Sequence, residues 1–113
     1  MAIEQLDIDR AGNAVVARLS GEVDLSNAGS LTEQLLDAMD NAASRLVLDL
    51  SETGYLDSSG VRMIFELAHR LRMRRQDLRL VVGDDSNVKR VLVLTEVERI
   101  VPMASSVEAA VAR

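Results

Sequence analysis

Residues 46–64 read LVLDLSETGYLDSSGVRMI. The apolar run at 46–50 is typical of a buried strand, and a turn-rich linker separates it from Asp57, Ser58, Ser59 and Gly60. Apolar residues then recur with a helical period, so a helix is predicted to begin at these serines. At such a position backbone N–H groups lack partners and negative charge is favourable. A hydroxyl there can cap the helix, act as a nucleophile or accept a phosphate.

The patterns on either side of this stretch predict the remaining elements. Residues 3–9 and 14–19 should form an antiparallel hairpin around Gly12-Asn13, followed by a loop at 20–24. Ser26 should cap a helix whose apolar side is Leu31, Leu35, Leu36, Met39 and Ala42. Further strands are predicted at 45–50, 78–82 and 100–101, a helix at 88–95, and a last helix opened by the capping pair Ser105 and Glu108.

This order of elements predicts an α/β fold. The near-continuous apolar run at 45–50 indicates burial on both faces, as in a parallel sheet covered by crossover helices. We therefore expect one domain over residues 1–113, with a mixed sheet of four to five strands, an N-terminal antiparallel hairpin and about four helices.

Composition excludes several classes of protein. The 113 residues carry a net charge of −5 and 2% aromatic residues, so neither a basic face nor a stacking platform for nucleic acid is expected. The absence of cysteine excludes disulfides and thiolate metal sites. No apolar run approaches the ~20 residues of a membrane span, and the start lacks the features of a signal peptide. A cytoplasmic protein without membrane or nucleic-acid partners is expected.

Catalysis by the serines is not expected. A serine nucleophile needs a base within hydrogen-bond reach, and the one histidine, His69, follows Ser58 by eleven residues, roughly 16 Å along a helix. The sequence lacks a Gly-x-Ser-x-Gly elbow and a phosphate-binding P-loop. We therefore predict no catalytic residues, no metal and no cofactor. Capping, worth about 1 kcal/mol, and phosphorylation remain open for Asp57 and Ser58.

Four segments together resemble a known family. They are LSGEVD at 19–24, LDL at 48–50, LDSSGV at 56–61 and NVKRVL at 87–92. In combination they resemble the anti-sigma factor antagonists, the single-domain members of the STAS superfamily. The resemblance covers almost the whole chain, and the pairing of Gly-Glu-Val-Asp with Asp-Ser-Ser-Gly at this separation is specific.

The resemblance implies a partner-switching regulator of transcription. Ser58 matches the family's phosphoacceptor. Such a protein binds a cognate anti-sigma factor, itself a serine kinase, when unphosphorylated, and so releases the sigma factor. Phosphorylation ends the binding, and a metal-dependent serine phosphatase restores it. Asp24 would lie near Ser58, and the expected partner surface is Asp24, Asp57, Ser58, Ser59, Gly60, Arg62 and Met63.

Other interpretations remain open at this stage. The chain could be a non-switching STAS scaffold or complex subunit in which Ser58 only caps, or, third in order, a nucleotide or small-ligand sensor. Arg62 stands where the family commonly has a small residue, and could pair with a phosphate on Ser58 or with an acidic partner group. Met63 and Leu67 could form an apolar contact strip or belong to the core. An exposed edge strand leaves monomer and homodimer equally open.

Overall fold

A computed structural model describes residues 4–112 of the chain. In this range six strands form one mixed sheet, with four α-helices and one short 3₁₀ helix around it. The strands are β1 Glu4–Ala11, β2 Ala14–Val23, β3 Arg45–Asp49, β4 Thr53–Leu56, β5 Asp77–Val81 and β6 Met103–Ala104. The helices are α1 Ala28–Asp37, α2 Ser58–Met73, α3 Asn87–Leu94 and α4 Val107–Ala112, and the 3₁₀ helix is Val97–Arg99. The predicted α/β fold, its hairpin and its four helices are thus confirmed.

The long strand β2 organises the sheet. It pairs antiparallel with β1 through a tight turn in which Gly12 has a φ of 62°. On its other side its first half pairs in parallel with β3 and its second half pairs in parallel with β4. The remaining order runs from β3 to β5 to β6, all parallel. A single strand therefore holds both β3 and β4, and carries the chain to the edge where α1 and α2 begin.

Side chains of the strands alternate between two apolar clusters. Val15, Ala17 and Leu19 of β2 join the main core under α1, α2 and α3, whereas Ala14 and Val16 pack on the opposite face beneath α4. Both faces of the central strands are therefore covered, as the apolar run at 45–50 predicted. The largest fully buried side chains are almost all leucine, in keeping with the scarcity of aromatic residues.

Two predictions about the segments flanking the serines were wrong. The loop predicted at 20–24 continues β2 as far as Val23, and the linker predicted at 51–56 contains the strand β4. Their mutual pairing is the reason, because each segment supplies the hydrogen-bond partners that the other lacks alone. The hydroxyl of Thr53 adds a bond of 2.6 Å to the carbonyl oxygen of Leu19, across the same junction.

Predicted helix boundaries were also corrected. Asn27, not Ser26, occupies the N-cap position of α1, which ends at Asp37, so Ala42 lies exposed beyond it. The last helix is capped by Ser106, not Ser105, because the Ser106 hydroxyl accepts the N–H of Ala109.

The last strand was predicted at the wrong place. It is Met103–Ala104 and not residues 100–101, because pairing with β5 starts only at the carbonyl of Pro102, which accepts the N–H of Leu80. Val101 is buried in the main core nonetheless. In the described part of the chain no helix has the length and apolar character needed to cross a membrane.

Candidate functional site

Ser58 lies at the edge of the sheet where β2 and β4 end side by side. Val23, the last residue of β2, is in register with Leu56, the last of β4. The N–H of Asp57 donates to the carbonyl oxygen of Val23 at 3.3 Å. Asp24 and Asp57 therefore leave the sheet as neighbours. Two of the four segments that carry the family resemblance, residues 19–24 and 56–61, thus meet at one edge.

Asp57 caps helix α2 and leaves Ser58 free. The Asp57 Oδ1 accepts the N–H of Ser59 at 2.8 Å and that of Gly60 at 3.2 Å. These bonds satisfy two of the donors that every helix start leaves unpaired. Ser58 is the first helical residue and is exposed, and its hydroxyl makes no hydrogen bond to residues 4–112. Capping therefore falls to the carboxylate, and the hydroxyl faces solvent on a rigid frame.

The loop after β2 is held by a small hydrogen-bond network. The Asp24 carboxylate accepts the Ser26 N–H at 2.9 Å and the Ser26 hydroxyl at 2.5 Å. Asn27, which is buried, accepts the Asp24 N–H and donates to the carbonyl oxygen of Glu22 at 2.8 Å. The Ser26 hydroxyl bond is the main cause that lowers the pKa of Asp24 below its ordinary value of 3.8. Asp24 is thus an anion held in a fixed place beside the start of α2.

Gly60 is buried and serves close packing rather than surface contact. A Cβ atom at this position would lie 2.5 Å from the Cγ of Leu56, which is 2% exposed. Only a residue without a side chain lets α2 approach the end of β4 this closely. Gly60 was predicted to belong to the partner surface, but the structure buries it, and its lack of a side chain lets α2 bring Ser58 up to the sheet edge.

Met63 and Leu67 belong to the core. Met63 is 3% exposed and Leu67 is 0% exposed, and both are members of the main apolar cluster. Of the two alternatives that the sequence left open for these residues, the core is the one observed. Helix α2 packs against α1 as well as against the sheet, so its buried face is wider than one apolar stripe.

Ser59 and Arg62 line a shallow groove between α1 and α2. The groove has a volume of about 280 Å³, and Leu25 and Glu66 also contribute to it. Ser59 is half-buried, whereas Arg62 is exposed one helical turn after Ser58. The structure thus brings Asp24, Asp57, Ser58, Ser59 and Arg62 to one surface. The other two predicted site residues are buried, although Met63 also lines this groove.

Two exposed apolar side chains at this edge were missed by the sequence analysis. Leu25 is 82% exposed directly after Asp24, and Tyr55 is 51% exposed on β4, in register with Glu22. Large apolar side chains on a surface are common singly, but here both adjoin the site. The sequence features that could have revealed these two residues are a leucine in a polar turn and the one tyrosine of the sequence.

The other candidate groups lie away from this edge. His69, the one histidine of the sequence, is exposed further along α2. The Nζ of Lys89 lies 3.3 Å from Asp84, before α3. Within the described range no three histidine or acidic side chains cluster as a metal site would require. The chemistry available at the edge is that of an exposed hydroxyl with two carboxylates and one arginine on the same surface.

The family profile of the STAS domain matches residues 5–110. The chain belongs to the STAS domain family. This STAS domain is 32% identical over 108 residues to BtrV of Bordetella bronchiseptica, a protein classed among the anti-sigma factor antagonists. The match covers 96% of this chain and 92% of BtrV.

Solved structures share the fold of this STAS domain. An anti-sigma factor antagonist from Mycobacterium paratuberculosis has a TM-score of 0.85 at 20% identity, covering 97% of this chain and 92% of the other. The anti-sigma factor antagonist SpoIIAA in its unphosphorylated form has a TM-score of 0.74 at 20% identity, with 93% and 92% covered. SpoIIAA, a cell fate determinant of Bacillus, has also been solved in a phosphorylated form, with a TM-score of 0.67 at 20% identity and 96% and 98% covered.

Proposed function

We propose that this STAS domain is an anti-sigma factor antagonist controlled by phosphorylation of Ser58. The observation that carries the proposal is the exposed Ser58 hydroxyl, which the capping carboxylate of Asp57 leaves unused. BtrV, its relative over nearly the whole chain, is classed among the anti-sigma factor antagonists, and SpoIIAA exists in phosphorylated and unphosphorylated forms.

The proposed partner is an anti-sigma factor that is also a serine kinase. The unmodified chain binds it through the edge formed by Asp24, Ser58 and Ser59, with Leu25 and Tyr55 as apolar contacts. Binding releases the sigma factor. The kinase then transfers a phosphoryl group from its nucleotide to the Ser58 oxygen, and a metal-dependent serine phosphatase later removes it by hydrolysis. The chain itself is a substrate and a regulator and performs no catalysis.

The physical basis of the proposed switch is electrostatic. A phosphate adds roughly −1.5 to −2 charge and three acceptor oxygens. Helix α2 tolerates this charge at its N-terminus, so the fold survives the modification. At the centre of an interface a dianion without a matching donor costs a few kcal/mol, and each ~1.4 kcal/mol is tenfold in affinity. Phosphorylation should therefore weaken binding about 100-fold or more.

The test is a binding titration with each kinase-type anti-sigma factor encoded by the same organism. Four forms of the chain are compared: the unmodified protein, Ser58→Ala, Ser59→Ala, and protein carrying phosphoserine at position 58. We expect the phosphoserine form to lose about 100-fold in affinity. Ser58→Ala should bind but resist phosphorylation, and Ser59→Ala, the matched hydroxyl control, should still be phosphorylated. Equal affinity of the modified and unmodified forms would contradict the proposal.

A non-switching scaffold is the second candidate. Residues 57–60 have structural roles that favour this candidate. Asp57 caps α2 and Gly60 packs on Leu56, and neither role requires phosphorylation. The same titration separates the two. A scaffold binds a partner equally well with phosphoserine, serine or alanine at position 58.

A further inference from the structure

Arg62 occupies a position from which it can reach Ser58. The two residues are four apart on α2, and side chains at this spacing are neighbours on the helix surface, with about 5–6 Å between their Cβ atoms. Helical side chains lean toward the N-terminus of their helix. A side chain as long as that of Arg62 can therefore reach the end of α2 that carries the Ser58 hydroxyl.

The guanidinium of Arg62 is not committed to an acidic neighbour. Among the side chains of residues 5–112 no carboxylate oxygen lies within 4.0 Å of it. The acidic residue one turn further on, Glu66, lies 3.6 Å from Arg70 instead, and Arg70 also approaches Glu33 at 3.4 Å. A glutamate placed N-terminal to its basic partner is the favoured order on a helix, which explains why Glu66 pairs with Arg70.

Resting on the proposed modification of Ser58, we propose that Arg62 is the intramolecular counter-ion of the phosphate at position 58. A guanidinium donates two parallel hydrogen bonds to phosphate oxygens, so it would hold the group against the first turn of α2. A phosphate already paired within its own chain attracts a basic group of the partner less. Arg62 thereby favours release of the phosphorylated chain. We call this pairing of the Arg62 guanidinium with the phosphate on Ser58 the clamp.

Other charges face the same phosphate. The carboxylates of Asp24 and Asp57 adjoin it from the ends of β2 and β4, and like charge opposes ionisation of the phosphate. Glu66 lies on the far side of Arg62 and is paired with Arg70. The separate effect of Arg62 is therefore measured as a difference between variants in which these acids are unchanged.

The experiment measures the second pKa of the phosphoserine at position 58 by phosphorus NMR. The phosphoserine is placed during synthesis of the full chain, so no kinase is needed. Three proteins are compared: the wild-type chain, Arg62→Gln, and Arg72→Gln as the matched control. Arg72 is also exposed on α2 but lies fourteen residues from Ser58, roughly 21 Å away along the helix.

We expect a phosphate pKa lower by about 0.3 in the wild-type chain than in Arg62→Gln, from the strength of paired charges one turn apart. Arg72→Gln should match the wild type. Equal values for the wild type and Arg62→Gln would overturn the clamp, as would an equal shift in Arg72→Gln. Both variants alter exposed residues, and thermal unfolding verifies that they fold. The phosphate pKa is measured without a partner protein, and the binding titration above does not vary Arg62, so failure of either proposal is recognised separately.

Discussion

The close packing of Gly60 against Leu56 predicts that Gly60→Ala destabilises the protein. In Gly60→Ala the new methyl group would lie 2.5 Å from Leu56 Cγ, 3.1 Å from Cδ1 and 3.2 Å from Cδ2. Carbon atoms attract at about 3.5–4.0 Å, so helix α2 and β4 must separate by roughly 1 Å. Leu56 is 2% exposed and contacted on all sides, so it cannot simply turn away. Overpacking of this kind costs about 1–3 kcal/mol.

A second glycine provides the matched control. Gly29 lies in the first turn of α1, as Gly60 does in α2, but a Cβ atom at Gly29 would meet nothing within 4 Å. Replacing a helical glycine by alanine gains up to about 1 kcal/mol in both helices, so this gain cancels between the two variants. The difference in unfolding free energy between Gly29→Ala and Gly60→Ala therefore isolates the clash.

The unfolding free energy of both variants is measured by urea denaturation, monitored by circular dichroism. We expect Gly29→Ala to equal or exceed the wild type and Gly60→Ala to be less stable than Gly29→Ala by about 1–3 kcal/mol. At about 4 °C per kcal/mol this corresponds to roughly 4–12 °C in the unfolding midpoint. Equal stability of the two variants would refute the packing argument. It would mean that α2 moves away from β4 at no cost, and that Gly60 does not hold Ser58 in place.

Three further predictions concern single residues at the site. Asp57→Ala removes two capping bonds and should lower the unfolding free energy by about 1 kcal/mol, measured by urea denaturation, whereas Asp57→Asn should retain most of it. Ser26→Ala should raise the pKa of Asp24 toward 3.8 in an NMR titration, and an unchanged pKa would refute the assigned cause. Because the pKa of Asp24 is depressed in the folded state, its ionised carboxylate stabilises the fold at pH values above the ordinary pKa. This contribution to the unfolding free energy is lost as the pH falls through the pKa of the folded state. Met63→Asp should abolish cooperative thermal unfolding because it buries a charge, whereas Arg62→Asp on the exposed face should keep it.

The sequence predicted those parts of the fold that local patterns encode. The hairpin followed from Gly12-Asn13 between two apolar runs, and the parallel core followed from the apolar run at 45–50. It did not predict β4, because residues 53–56 are short, rich in turn-forming neighbours and become a strand only against β2. The sequence left open whether Met63 is buried, since one helix pattern does not reveal that α1 packs against α2.

The sequence by itself determined the family and placed Ser58 at the start of a helix. Asp57, Ser58 and Gly60 are neighbours in the chain, so their meeting at a helix start needed only local information. The structure showed that the Asp57 carboxylate does the capping and that Gly60 packs on Leu56, both contacts within four residues of the chain. Only the tertiary structure decided that Asp24 stands beside Asp57, through the pairing of β2 with β4. That pairing joins segments some thirty residues apart, and such a contact arises only when the sheet forms and buries both faces.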